Sequence, residues 1–251
     1  MIEQWPVYIE PLHRETMLHI YLPDDYYKSD ERYPVMYMFD GHNLFDDEMA
    51  TFGSSWKLAD FLAEYDKKFM IVGIECDHYK DNRLQEYTPY ALEETFFGKT
   101  DGKGAILMDW MVKTLKPIID ERYRTWSHRE ATGIGGSSMG GLMSFYALLA
   151  YNNVFSKAAC LSPTLFIAKD ELMNEFHQHF IHPDTRCYFS FGTKEFRSKN
   201  HRERIEKMLE EFVEEIELRK GIAEVNLIQG GKHSETYWEK ESKTWFDFLW
   251  K

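Results

Sequence analysis

Three short stretches of this chain put reactive side chains where a backbone can hold them. "GIGGSSMGGL", residues 133 to 142, contains G-x-S-x-G centred on Ser138, with Gly136 and Gly140 on either side. Centring the pattern on Ser137 would need glycine at 139, where methionine stands. A serine on a sharp strand-to-helix turn needs neighbours without side chains, or the two backbones collide. Its hydroxyl is a poor nucleophile until a base takes the proton. "GGKHSETYW" supplies His233 between the last strand-like run and the last helix-like one, and "GTKE" supplies Glu195 after the run "RCYFSFG". In the order serine, acid, histidine, such a set performs nucleophilic acyl transfer, the carboxylate fixing the imidazole tautomer. Asp170 is the second candidate for the acid. The oxyanion formed on the way needs backbone donors. The Met139 N–H follows the serine, and the His42 N–H sits in "DGHNLF" after another apolar run.

Other glycine-rich chemistries fail on register. The dinucleotide pattern G-x-G-x-x-G meets serine at 138 or at 137, and no lysine follows Gly140 or Gly141 as a phosphate loop requires.

The elements that must position these residues read as alternating strands and helices. "TMLHIYL" alternates as a half-exposed strand does, whereas "YPVMYMFD" and "FMIVGIE" are continuous apolar runs, as in strands covered on both faces. The spacing predicts a serine-capped helix in "SSWKLADFLAEYDKK" and a helix kinked at Pro117 in "AILMDWMVKTLKPIIDERY". Further strands are expected at 131–136, "KAACLS", "RCYFSFG" and "AEVNLIQ", and helices at 139–151, 199–220 (stopped by Gly221) and 235–250. The fold class is α/β: a mostly parallel sheet with helices on both faces and an antiparallel N-terminal edge. One domain over residues 1–251 is expected. The aperiodic stretch 76–104, with Tyr79, Tyr87, Tyr90, Phe96 and Phe97, is a candidate lid or pocket wall.

Bulk properties exclude several partners. Thirty basic against 42 acidic side chains give a net charge of −12, a field that repels nucleic acid. No apolar run reaches the roughly 20 residues a membrane span needs, and no leader-like start is present, so a cytoplasmic location is expected. The three cysteines, Cys76, Cys160 and Cys187, show neither a disulfide framework nor a C-x-x-C metal spacing. No cofactor and no metal are expected. The partner is a small-molecule ester, and the oligomeric state is open, a homodimer being one option.

With Ser138, "FDGHNLF", "EYTPY", "GTKE" and "GGKHSETYW" on the page, the chain resembles the putative-esterase family of α/β-hydrolases. That family includes esterase D, carbohydrate esterases of family one and enterochelin-type esterases. The resemblance implies an α/β-hydrolase fold, Ser138 as nucleophile, His233 as base, Glu195 as acid, and oxyanion donors at His42 and Met139. Family members often carry aspartate as the acid. "NRLQEYTPY" resembles a segment bordering the site, so Arg83 and Tyr87, with Asn43, are the expected substrate contacts. The alternative for Arg83 is a structural pair with Glu86. The implied activity is a serine carboxylesterase on a small or medium acyl ester: acetyl, feruloyl or sugar-linked. A non-catalytic binding protein, a thioesterase and an acyltransferase are the alternatives on the same scaffold.

Overall fold

The computed structural model describes residues 1–251 apart from Glu94 and Phe96, so Phe96 of the aromatic set lies outside the described residues. Strands β1 (Ile2–Ile9) and β2 (Arg14–Tyr21) are followed by β3 (Val35–Phe39), helix α1 (Leu58–Glu64) and β4 (Met70–Ile74). Next come α2 (Asn82–Glu86), a small hairpin of β5 (Ala91–Leu92) and β6 (Thr100–Asp101), α3 (Lys103–Trp110) and α4 (Lys116–Arg122). Then strand and helix alternate: β7 (Thr132–Ser137), α5 (Met139–Ala150), β8 (Lys157–Leu161), α6 (Lys169–Gln178), β9 (Arg186–Gly192), α7 (Lys199–Leu218), β10 (Ile222–Ile228) and α8 (Glu235–Leu249).

Eight strands form one sheet in the order β1-β2-β4-β3-β7-β8-β9-β10. The six from β4 to β10 are parallel, and β1 and β2 add an antiparallel edge, as expected for the α/β-hydrolase class. Because side chains alternate across a strand, β3 splits its run between two cores. Val35, Tyr37 and Phe39 join the cluster under α3 to α7, while Met36 and Met38 face α1 and α8. Parallel strands send all their carboxyl ends to one edge, and the loops there carry His42, Ser138, Glu195 and His233.

Local details differ from the sequence reading for identifiable reasons. Lys57, not a serine, precedes α1 at φ 49°, because Ser55 is held by Asp47, which accepts from its hydroxyl at 2.9 Å. Around Pro117 the helix changes its winding: Met111–Leu115 is a π-helix, and Pro117 falls in the first turn of α4, which continues from it. After α7 the left-handed residue is Lys220 at φ 65°; Gly221 is needed instead for space, since a Cβ there would stand 2.7 Å from Ile216 Cγ2. Within segment 76–104, Glu86 and Tyr90 are bonded to the body of the protein. Glu86 accepts from Arg14 Nη2 at 2.8 Å, and Tyr90 donates to Glu175 at 2.9 Å. No described helix is long and apolar enough to cross a membrane.

The core also buries a carboxyl. Glu241 is 5% exposed and accepts from Tyr188 at 3.2 Å, and burial pushes its pKa up to about 7. A raised folded-state value means that this stability is fully present below the ordinary pKa near 4.5 and is lost as pH rises through 7. Glu241→Gln is therefore expected to gain about 3 kcal/mol over the native chain at pH 8 and nothing at pH 4. Urea unfolding at the two pH values checks it; an equal change at both contradicts it.

Candidate active site

Ser138 stands between β7 and α5 with φ 59° and ψ −120°, a conformation that a residue with a side chain adopts at a cost of about 1–3 kcal/mol. The surroundings enforce it. Ser138 N–H donates to Leu161 O at 2.9 Å, while its carbonyl accepts from Leu142 and Thr164. Gly136 allows the turn to close, since a Cβ there would lie 2.9 Å from the Gly140 carbonyl. The side chain is thereby lifted off the sheet into a cavity of about 790 Å³, which Glu195 and His233 also line.

Glu195 and His233 reach the cavity from adjacent strands. The parallel pairing of β9 with β10 brings the loops after Gly192 and Ile228 side by side. His233 Nδ1 and Glu195 Oε2 are 2.7 Å apart. The other carboxylate oxygen accepts from Gly192 N–H at 2.6 Å and from Ser162 Oγ at 2.8 Å. Ser162 in turn accepts from Trp238 Nε1 at 3.0 Å, and the Trp238 indole meets the His233 ring edge-on at 5.1 Å. Asp170, the other acid considered, is exposed in the first turn of α6. Ser162 and Trp238 were not legible as site residues. Their only sequence signal is position: Ser162 follows β8, and Trp238 lies one helical turn after Ser234.

Gly192 sets how close the two loops come. A Cβ on it would fall 2.3 Å from Gly231 C and 2.4 Å from Gly231 O, and neither backbone can yield without moving Glu195 or His233. Gly192→Ala is expected to destabilise by about 1–3 kcal/mol. It should also lower esterolytic turnover by more than the unfolded fraction explains. Denaturant unfolding with activity on the folded fraction measures both; unchanged turnover would contradict it.

The turn Gly41–Asn43 follows β3, with Asp40 before it at φ 57°. It lies against the serine elbow: a Cβ on Gly140 would be 3.0 Å from Phe39 Cβ and 3.5 Å from Asp40 Oδ2. Asn43 and Leu44 donate back to Asp40 and Gly41 and close the turn around the His42 N–H. Met139 carries the first N–H of α5, one of those a helix leaves without an internal acceptor. The side chains of His42 and Met139 do not line the cavity. Burial outweighs the nearby Asp40 and holds the His42 imidazole below its ordinary pKa.

The three expected substrate contacts do not line the cavity. Tyr87 is fully buried, and its hydroxyl accepts from Asp40 N–H at 3.1 Å, so it props the turn from beneath. Asn43 is buried, and its carbonyl oxygen accepts from Thr51 N–H at 2.9 Å. Arg83 pairs with Asp40, Nε–Oδ1 2.8 Å and Nη2–Oδ2 2.6 Å, and not with Glu86. Although burial alone would raise the Asp40 pKa, the Arg83 guanidinium holds it below the usual carboxylate range. All three therefore support the turn rather than the cavity.

Comparison with known proteins decides the family. A family model described as "Putative esterase" matches residues 9–242. The chain belongs to that family and is a hydrolase with an esterase fold. The uncharacterized protein YbbA of Bacillus subtilis is 28% identical over 183 residues, covering 72% of this chain and 69% of YbbA. An IroE-like serine hydrolase from Shewanella oneidensis superposes with a TM-score of 0.73 at 20% identity, over 99% of this chain and 79% of that one. The siderophore hydrolase EstA from Aspergillus nidulans does so at 0.73 and 15% identity, over 99% and 94%. The two structural likenesses are likenesses of fold.

Proposed function

We propose that this esterase-family hydrolase is a serine carboxylesterase working through an acyl-enzyme on Ser138. The observation that carries the reading is the 2.7 Å His233–Glu195 contact on the cavity that the strained Ser138 enters. Ser138 Oγ attacks the ester carbonyl while His233 Nε2 takes its proton; the alkoxide leaves with that proton as the alcohol. Water then repeats the sequence against the acyl-serine, releasing the acid. Glu195 keeps the proton of the neutral imidazole on Nδ1 and stabilises the imidazolium. The Met139 and His42 N–H groups receive the negative charge on the carbonyl oxygen.

The cavity favours an ester with an aromatic acyl group. Phe97, Phe166, Phe191 and Phe196 form its apolar walls, and Arg197, Arg204 and Lys207 stand at its edge on a chain of net charge −12. A panel of p-nitrophenyl acetate, p-nitrophenyl butyrate and methyl ferulate tests the reading. Hydrolysis of all three is expected; no turnover of any member would overturn it.

A further inference from the structure

On the far side of the Gly41–Asn43 turn from the cavity, the chain assembles a second set of ligating side chains that the ester chemistry does not use. Donor atoms of His42, Cys76 and His78 all lie within 4.8 Å of one another. Cys76 and His78 come from the loop after β4, and His42 from the loop after the neighbouring β3. Cys76 Sγ and His78 Nδ1 are 3.9 Å apart, and the two imidazole rings meet edge-on at 4.5 Å.

Each imidazole has one nitrogen already occupied and the other left over. His78 Nε2 faces Glu75 Oε2 at 3.3 Å, which leaves Nδ1 beside the thiol. His42 Nε2 is 2.9 Å from Thr51 Oγ1, and its Nδ1 is a buried polar atom without a partner in a residue only 6% exposed. A metal-ligating histidine is oriented this way, its second nitrogen engaged by a carboxylate or another oxygen. An orphaned buried nitrogen is costly to keep out of water, and a cation would satisfy it.

We infer that His42, Cys76 and His78 bind a zinc-class divalent cation. One thiolate and two imidazoles suit Zn²⁺ or Co²⁺ and not calcium or magnesium, which take oxygen ligands. Binding breaks the Cys76 S–H bond, forms the sulfur–metal bond and passes the proton to solvent. Zinc-bound N and S atoms lie about 3.3–3.6 Å apart at the usual bond lengths, so the set must contract by up to about 1.5 Å. His78, with a side chain 54% exposed, has the freedom to do so and offers the way in from solvent. Since His42 also carries the proposed oxyanion N–H, the cation would fasten that turn to the loop after β4. That consequence rests on the esterase reading, whereas the binding itself does not.

The test is titration of the reduced, chelator-stripped full chain with Co²⁺ and then Zn²⁺. One Co²⁺ per chain is expected, with a thiolate-to-cobalt charge-transfer band that Zn²⁺ abolishes. Cys76→Ser should lose the band. His78→Ala and the outer Thr51→Val should bind about 10–100-fold more weakly, with unchanged circular dichroism. Ser138→Ala should bind as the native chain does. Absence of stoichiometric binding, or a charge-transfer band that survives in Cys76→Ser, would overturn the site.

Discussion

Replacing Ser138 by alanine is expected to lower kcat for ester hydrolysis by roughly 10⁴- to 10⁶-fold with little change in KM or stability. The loss is confined to kcat because the hydroxyl forms its bond in the transition state, while the walls that hold substrate come from β9, α6, α7, the loops around them and Phe97 between β5 and β6. Stability should hold because the φ of 59° is imposed by the backbone bonds to Leu161, Leu142 and Thr164, none of which uses the side chain. Steady-state kinetics beside a urea melt gives both readings. Ser137→Ala is the control on the register of the motif, and a larger loss there would move the nucleophile by one residue.

The second large effect separates the two acids. Glu195→Gln should cost about 10³- to 10⁴-fold in kcat, while Asp170→Asn stays within about threefold of the native rate. The geometry explains why an amide fails. Gly192 N–H and Ser162 O–H both donate to Oε1, so a glutamine must turn its carbonyl oxygen toward them. Its amide NH₂ then faces His233 Nδ1, which sits at the 2.7 Å contact. Two donors cannot face each other, so the ring carries its proton on Nε2, where it cannot accept one from Ser138. A large loss in Asp170→Asn alone would reassign the acid.

How much of this was legible depended on whether chemistry or packing set the residue. The elbow could be read because glycine at 136 and 140 answers a local steric demand, and the mostly parallel sheet because β3, β4 and β8 are runs apolar on both faces. Arg83, Tyr87 and Asn43 were expected at the substrate because their segments border the site, whereas their side chains bond to the Asp40–Asn43 turn and to Thr51. Burial and the choice of Asp40 over Glu86 as ion-pair partner are tertiary facts with no local pattern. Cys76 and His78 are two residues apart, but His42 completes their cluster only because β3 and β4 are neighbours in the sheet.

The central claim, that Ser138 is the acylated residue, is tested most directly by an alkyl fluorophosphonate followed by intact and peptide mass spectrometry. One adduct per chain on Ser138, absent from Ser138→Ala, is the predicted result. No adduct, or an adduct that persists in Ser138→Ala, would contradict it.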